Sequence, residues 1–146
     1  MSRFQKSDAS IIETLRKKGY KATTQRIAIC RFILHGRDHP SAQRIYDEVK
    51  KVHPTVSLAT VYKTLQILTE QGLIQELGLP KSKARFDSHM ETHINLVCLQ
   101  CGNIQDFDDN TAREMIDRVT AKAEFTRTGQ RIDIYGVCKT CRGRTR

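Results

Sequence analysis

At 146 residues the chain has room for one ordinary domain or two small ones, and a net charge of +9 favours a polyanionic partner. No apolar run approaches the roughly 20 residues that span a bilayer, and the opening MSRFQKSDAS lacks a signal peptide's apolar core. The expectation is a cytoplasmic protein with no membrane role, in which paired cysteines hold metal sooner than form disulfides.

The charge is unevenly placed. Residues 1–83 carry 15 Lys and Arg against 7 Asp and Glu, whereas residues 84–146 carry 10 against 9. A basic first half and a neutral second half suggest that nucleic acid is met by the first.

Residues 8–18, DASIIETLRKK, place Ile11, Ile12 and Leu15 at helical spacing, and Gly19 stops the turn. Thr23 or Thr24 caps a second helix reaching Phe32 to His35, whose apolar residues are Ile27, Ile29, Cys30, Ile33 and Leu34. Cys30, alone among apolar neighbours, reads as a core residue. His39-Pro40-Ser41 is a break and then a cap for SAQRIYDEVKKV, with Ile45, Tyr46 and Val49 repeating, and Pro54 ends that helix.

Ser57 caps SLATVYKTLQILTEQG, where Leu58, Val61, Leu65 and Leu68 form an inward stripe and Gly72 supplies the stop. Its other face offers Thr60, Tyr62, Lys63 and Thr64. Two short helices joined by a tight turn suit a helix-turn-helix, because the second must enter a groove about 12 Å wide. LIQEL, a turn at Gly78 to Lys81 and KARFD then form a hairpin, completing a winged helix whose Lys81, Lys83 and Arg85 can reach phosphates.

HINLVCLQC and NIQDF read as paired strands around a knuckle at Cys101-Gly102, followed by a helix over 110–123 with Met115, Ile116 and Val119 inward. A last strand, QRIDIYGV, delivers Cys138 beside the first cysteine pair. Cys98 and Cys101 repeat as Cys138 and Cys141, each with a two-residue gap. Four thiolates suit one tetrahedral zinc and leave no open position, so its role is structural. The fold class is α+β: a winged-helix DNA-binding domain over 1–87, a hinge over 88–92, and a zinc-stapled dimerisation domain over 93–146. So small a second core favours zinc and a partner subunit.

LATVYKTL, HPSAQRIYDEV, HIN-x-x-C-x-x-C and the closing YGVC-x-x-C together resemble the ferric uptake regulator family over nearly the whole chain. The resemblance implies a homodimeric repressor that binds a double-stranded DNA operator, an inverted repeat, when a regulatory metal is bound. It implies DNA contacts by Tyr62, Lys63 and Lys21, and Ser57 and Thr60 stand beside them at the start of the same helix. The family's regulatory ligands carry over to His39, Asp87, His93 and Asp106. Asn95 departs, standing where a second histidine is usual. Either Asn95 binds weakly, or His89 or Glu91 completes the sphere, or a position stays open.

The mixed nitrogen and oxygen set suits iron, manganese or zinc. Aspartate at position 106 resembles the peroxide-sensing, PerR-like branch, which implies regulatory iron or manganese and relief of repression when peroxide oxidises a ligand histidine. A plain iron- or zinc-uptake repressor is the alternative. TGQRIDIYG lacks the histidine of the family's further site, so one regulatory site per subunit is expected. The His and carboxylate set also resembles an iron oxygenase triad, but no pocket-forming segment or extra acid–base group accompanies it, so no enzyme is expected. His35 and His53 read as bland surface residues.

Overall fold

A computed structural model describes residues 7–80 and 82–144. The chain divides into two compact units, Met1–Met90 and Glu91–Arg146.

The first unit is helical. In α1 (Asp8–Lys17) the Ser7 hydroxyl caps the first turn and Asp8 stands there, while Arg16 and Lys17 occupy the last, each charge suited to its end of the helix dipole. Ile11 and Leu15, one turn apart, are its buried face, and Gly19 leaves the helix at φ +76°, a conformation that costs a residue with Cβ. α2 (Thr24–His35) is capped by Thr23 and buries Ile29, Cys30, Ile33 and Leu34. Arg31 of α2 pairs with Asp8 of α1 on the exposed side. Ser41 caps α3 (Ala42–Lys50), which buries Ala42, Ile45 and Val49. Ser57 caps α4 (Leu58–Glu70), which buries Val61, Thr64, Leu65, Ile67 and Leu68.

These faces close one core with Val56, Ile74 and Phe86. Burying each such aliphatic or aromatic side chain contributes about 1.5–3 kcal/mol. Two expectations for α4 need correcting. Leu58 is only half-buried, and Thr64 is buried inside instead of lying on the outer face. The Thr64 hydroxyl donates to the Thr60 carbonyl at 2.7 Å, so its only polar group is satisfied within its own helix and its methyl joins the core.

A two-stranded antiparallel wing follows: β1 (Gln75–Leu77) and β2 (Arg85–Asp87), in register Gln75 with Asp87 and Leu77 with Arg85. Both strands are shorter than the alternating runs predict, and Lys81 at the tip lies outside the described residues. Strand β2 is stitched to the segment before α3, because the Phe86 N–H donates to the Pro40 carbonyl at 2.9 Å and the Arg85 guanidinium donates to the carbonyl of His39. Arg85 is thus partly buried and committed to the backbone, which corrects its assignment as a free phosphate contact.

In the second unit, β3 (Ile94–Cys98) is the centre of a three-stranded sheet of order β4-β3-β5. It pairs antiparallel with β4 (Ile104–Phe107) and parallel with β5 (Ile132–Gly136), α5 (Asn110–Lys122) lying between those strands in sequence. A short α6 (Lys139–Arg142) closes the unit. Only Ala112 of α5 is buried; Met115 and Val119, expected inward, are exposed, as are Ile134 and Tyr135 of β5. The apolar periodicity is real, but no described residue of this unit covers it.

Candidate metal centres and nucleic-acid interface

Cys98 ends β3, Cys101 follows the turn, and Cys138 and Cys141 bracket the start of α6. Gly102 makes the first knuckle possible: at φ +72° its N–H reaches the Cys98 carbonyl at 2.9 Å. The Arg142 N–H does the same for Cys138 at 2.9 Å, turning the second pair inward. All four sulfurs lie within 4.8 Å of one another. Cys101 Sγ and Cys138 Sγ are 3.8 Å apart, which is the edge of a tetrahedron with zinc–sulfur bonds of about 2.3 Å and far beyond a disulfide.

The four thiols do not ionise alike. The backbone N–H groups of Cys138 and Cys101 turn toward Cys98 and hold its thiol down at about 6, while the crowded Cys138 and its neighbours push Cys141 up to about 12. Four convergent sulfurs that cannot all ionise without a cation fit zinc by geometry and by charge. Cys30 is different: burial pushes its thiol up to about 12, and it stays a core residue.

Each unit also buries a histidine beside a carboxylate. In the first, His39 Nε2 stands 3.8 Å from Asp87 Oδ1, both residues at most 4% exposed. The wing places Asp87: its Oδ1 accepts the His89 N–H at 2.8 Å, and Gln75 donates to its Oδ2 at 3.4 Å. In the second, His93 Nε2 stands 3.6 Å from Asp106 Oδ1, with the two residues on adjoining elements around β3 and β4. Both separations exceed a hydrogen bond, and ligands sharing one ion through bonds of about 2.1 Å stand about 3 to 3.6 Å apart. Asn95 is buried next to His93, and His89 precedes the division between the units.

The DNA-binding candidates are all in the first unit. Ser57, Tyr62 and Lys63 are exposed at the N-terminal half of α4, Thr60 is half-buried with its hydroxyl 2.9 Å from that of Ser57, and Lys21 is exposed in the loop before α2. Sequence reasoning missed Tyr20. Its ring centroid stands 5.6 Å from the Arg26 guanidinium and 5.3 Å from the Lys63 ammonium, and Arg26 also donates to the Lys21 carbonyl at 2.9 Å. The ring therefore steadies Lys63 directly, and Arg26 ties it to the backbone of Lys21. Sequence reasoning also missed Asp133, which binds Asn95 across the sheet.

A helix-turn-helix with a wing, joined to a small sheet that carries a four-cysteine centre, defines a metal-holding DNA-binding regulator. Residues 17–135 match the model of the ferric uptake regulator family, and the chain belongs to that family. It is 36% identical over 131 residues to the peroxide-responsive repressor PerR of Staphylococcus epidermidis, covering 90% of this chain and 87% of that protein. Among solved structures it resembles the Campylobacter jejuni peroxide stress regulator, at 36% identity and TM-score 0.75, covering 90% and 98% of the two chains. It also resembles the Helicobacter pylori ferric uptake regulator Fur, at 26% identity and TM-score 0.81, covering 97% of each.

Proposed function

We propose that the protein is a homodimeric, metal-dependent transcriptional repressor that releases its operator in response to peroxide. The observation that carries this reading is that a buried histidine stands beside a carboxylate at each end of the short segment 88–92: His39 with buried Asp87 before it, His93 with half-buried Asp106 after it. An iron or manganese ion that took ligands from both pairs would hold the two units in a fixed relation. Segment 88–92 is then the hinge, and occupancy of the site decides whether two winged helices meet the half-sites of an inverted repeat at the required separation. Cys98, Cys101, Cys138 and Cys141 hold zinc as a permanent staple. Met115, Val119 and Ile134 supply an apolar face for the second subunit.

DNA is met by Ser57, Thr60, Tyr62 and Lys63 of α4, with Lys21 on the flanking phosphate. Held by His39, Asp87, His93 and Asp106, ferrous iron would supply reducing chemistry toward hydrogen peroxide beside two imidazoles, and a ring oxidised there would bind metal poorly. His39 and His93 are the rings placed for that damage, and their role is sacrificial and not that of an enzyme, since each molecule responds once.

The test is operator affinity after peroxide. Iron-loaded protein loses affinity and gains one oxygen on the peptide containing His39 or His93, while manganese-loaded protein does neither. Full affinity of the iron form after peroxide removes the peroxide reading and leaves an iron- or zinc-uptake repressor that senses metal alone.

A further inference from the structure

His39 lies in the segment between α2 and α3, and strand β2 meets it at two points. Pro40 confines the residue before it to extended backbone, so this segment runs beside β2, with Ser41 bridged antiparallel to Arg85. The Phe86 N–H donates to the Pro40 carbonyl at 2.9 Å, and the Phe86 ring enters the core. Side chains alternate along a strand, so Arg85 and Asp87, on either side of Phe86, share the opposite face. Arg85 Nε donates to the His39 carbonyl, and Asp87 Oδ1 stands 3.8 Å from His39 Nε2. One strand face thus holds the main chain of His39 with one side chain and meets its ring with the next. Two further contacts steady the same segment. The Ser88 hydroxyl donates to the Gly36 carbonyl at 3.3 Å, and a Cβ at Gly36 would stand 2.9 Å from the Phe32 carbonyl, so the chain leaves α2 by a path open to glycine.

The geometry points to Arg85 as a positioning residue of the regulatory site: it holds the His39 main chain so that the imidazole faces Asp87, and ion affinity depends on it. The inference rests on the regulatory site proposed above and concerns the half of it that the first unit supplies. A guanidinium is always charged and cannot ligate a cation, so Arg85 acts only through His39. With that donor gone, the His39–Pro40 peptide can rotate away from β2 and carry the ring off Asp87. Groups that orient a metal ligand from outside the coordination sphere are worth about tenfold to a hundredfold in affinity. An arginine on a wing is otherwise read as a phosphate contact, and the two readings predict different losses.

The test uses full-length protein with the cysteine zinc retained, titrated with manganese and read by the paramagnetic signal of free manganese. Arg85→Met keeps the apolar stem without the donor, and it weakens manganese binding by about tenfold or more. Arg85→Gln places an amide nitrogen as many bonds from the backbone as the arginine Nε, without the charge, and it restores manganese binding to within about threefold of wild type. In the metal-free protein the Phe86 amide exchanges faster in Arg85→Met than in Arg85→Gln. Operator affinity at saturating manganese, and its salt dependence, stay at the wild-type values in both variants. Helical circular dichroism reports the fold of the first unit. Should Arg85→Met fold poorly, Arg85→Gln carries the test: manganese and operator affinity both kept support the inference, and either one lost overturns it. Unchanged manganese binding in a folded Arg85→Met, with operator affinity lowered and its salt slope reduced by about one, makes Arg85 a phosphate contact and overturns the inference while leaving the regulatory site intact. A wild-type protein that takes up no second ion, or a His39→Ala variant that binds it undiminished, removes the site itself and the inference with it.

Discussion

Removing zinc from the cysteine centre unfolds the second unit and spares the first. Among the described residues of that unit, the buried apolar side chains beyond the cysteines are Val97, Ile104 and Ala112. At about 1.5–3 kcal/mol for each of the two larger side chains and under 1 kcal/mol for the alanine, they contribute about 3–7 kcal/mol. A structural zinc contributes about 10–16 kcal/mol of apparent binding free energy at neutral pH, more than twice that sum. The metal, more than the core, therefore decides whether the sheet forms. Cys138→Ala, or stripping by a strong chelator, leaves amides of β3 and β5 without protection in hydrogen exchange, while those of Ile29 and Leu65 keep theirs. Native protection at Val97 in protein shown to hold no zinc refutes the reasoning.

Tyr62→Ala lowers operator affinity by about tenfold to a hundredfold with no change in metal content, and an unchanged binding isotherm speaks against α4 as the reading helix. Thr64→Asp places an uncompensated charge in the core and costs about 3–5 kcal/mol, read as a lower urea midpoint, whereas Lys63→Asp leaves the midpoint within about 0.5 kcal/mol and weakens DNA binding. The raised thiol of Cys30 makes it inert to iodoacetamide at pH 8 in the folded protein. Because its folded value lies above the ordinary 9.0, its contribution to stability is complete below about 9 and is lost as pH rises toward about 12. Urea midpoints should fall between pH 9 and 11 more steeply for the wild type than for Cys30→Val. Val119→Asp with Ile134→Asp produces monomers in ultracentrifugation; an intact dimer places the subunit interface elsewhere.

Local chemistry made much of the fold legible in the chain. Thr23, Ser41 and Ser57 cap because a short hydroxyl before an apolar stripe has one productive partner, the N–H three residues on. The cysteine spacing was equally telling, since two such pairs in a small chain have few other uses. Thr64 was misplaced because a hydroxyl counts as polar in a sequence, while in a helix it can satisfy itself on the preceding turn. Met115 and Val119 show that periodicity reveals an apolar face without revealing whether the same unit covers it. Asp133 stayed hidden for a different reason. Its link to Asn95 depends on parallel strand register across 38 residues, which no local pattern encodes.

The central claim is that one ion joins the winged helix to the sheet unit. Crystals of the manganese-loaded protein, measured for anomalous scattering, test it most directly. The account predicts a single peak, apart from the cysteine zinc, bonded to His39 and Asp87 on one side and to His93 and Asp106 on the other. A peak held by the ligands of one unit alone, in fully loaded protein bound to its operator, contradicts it.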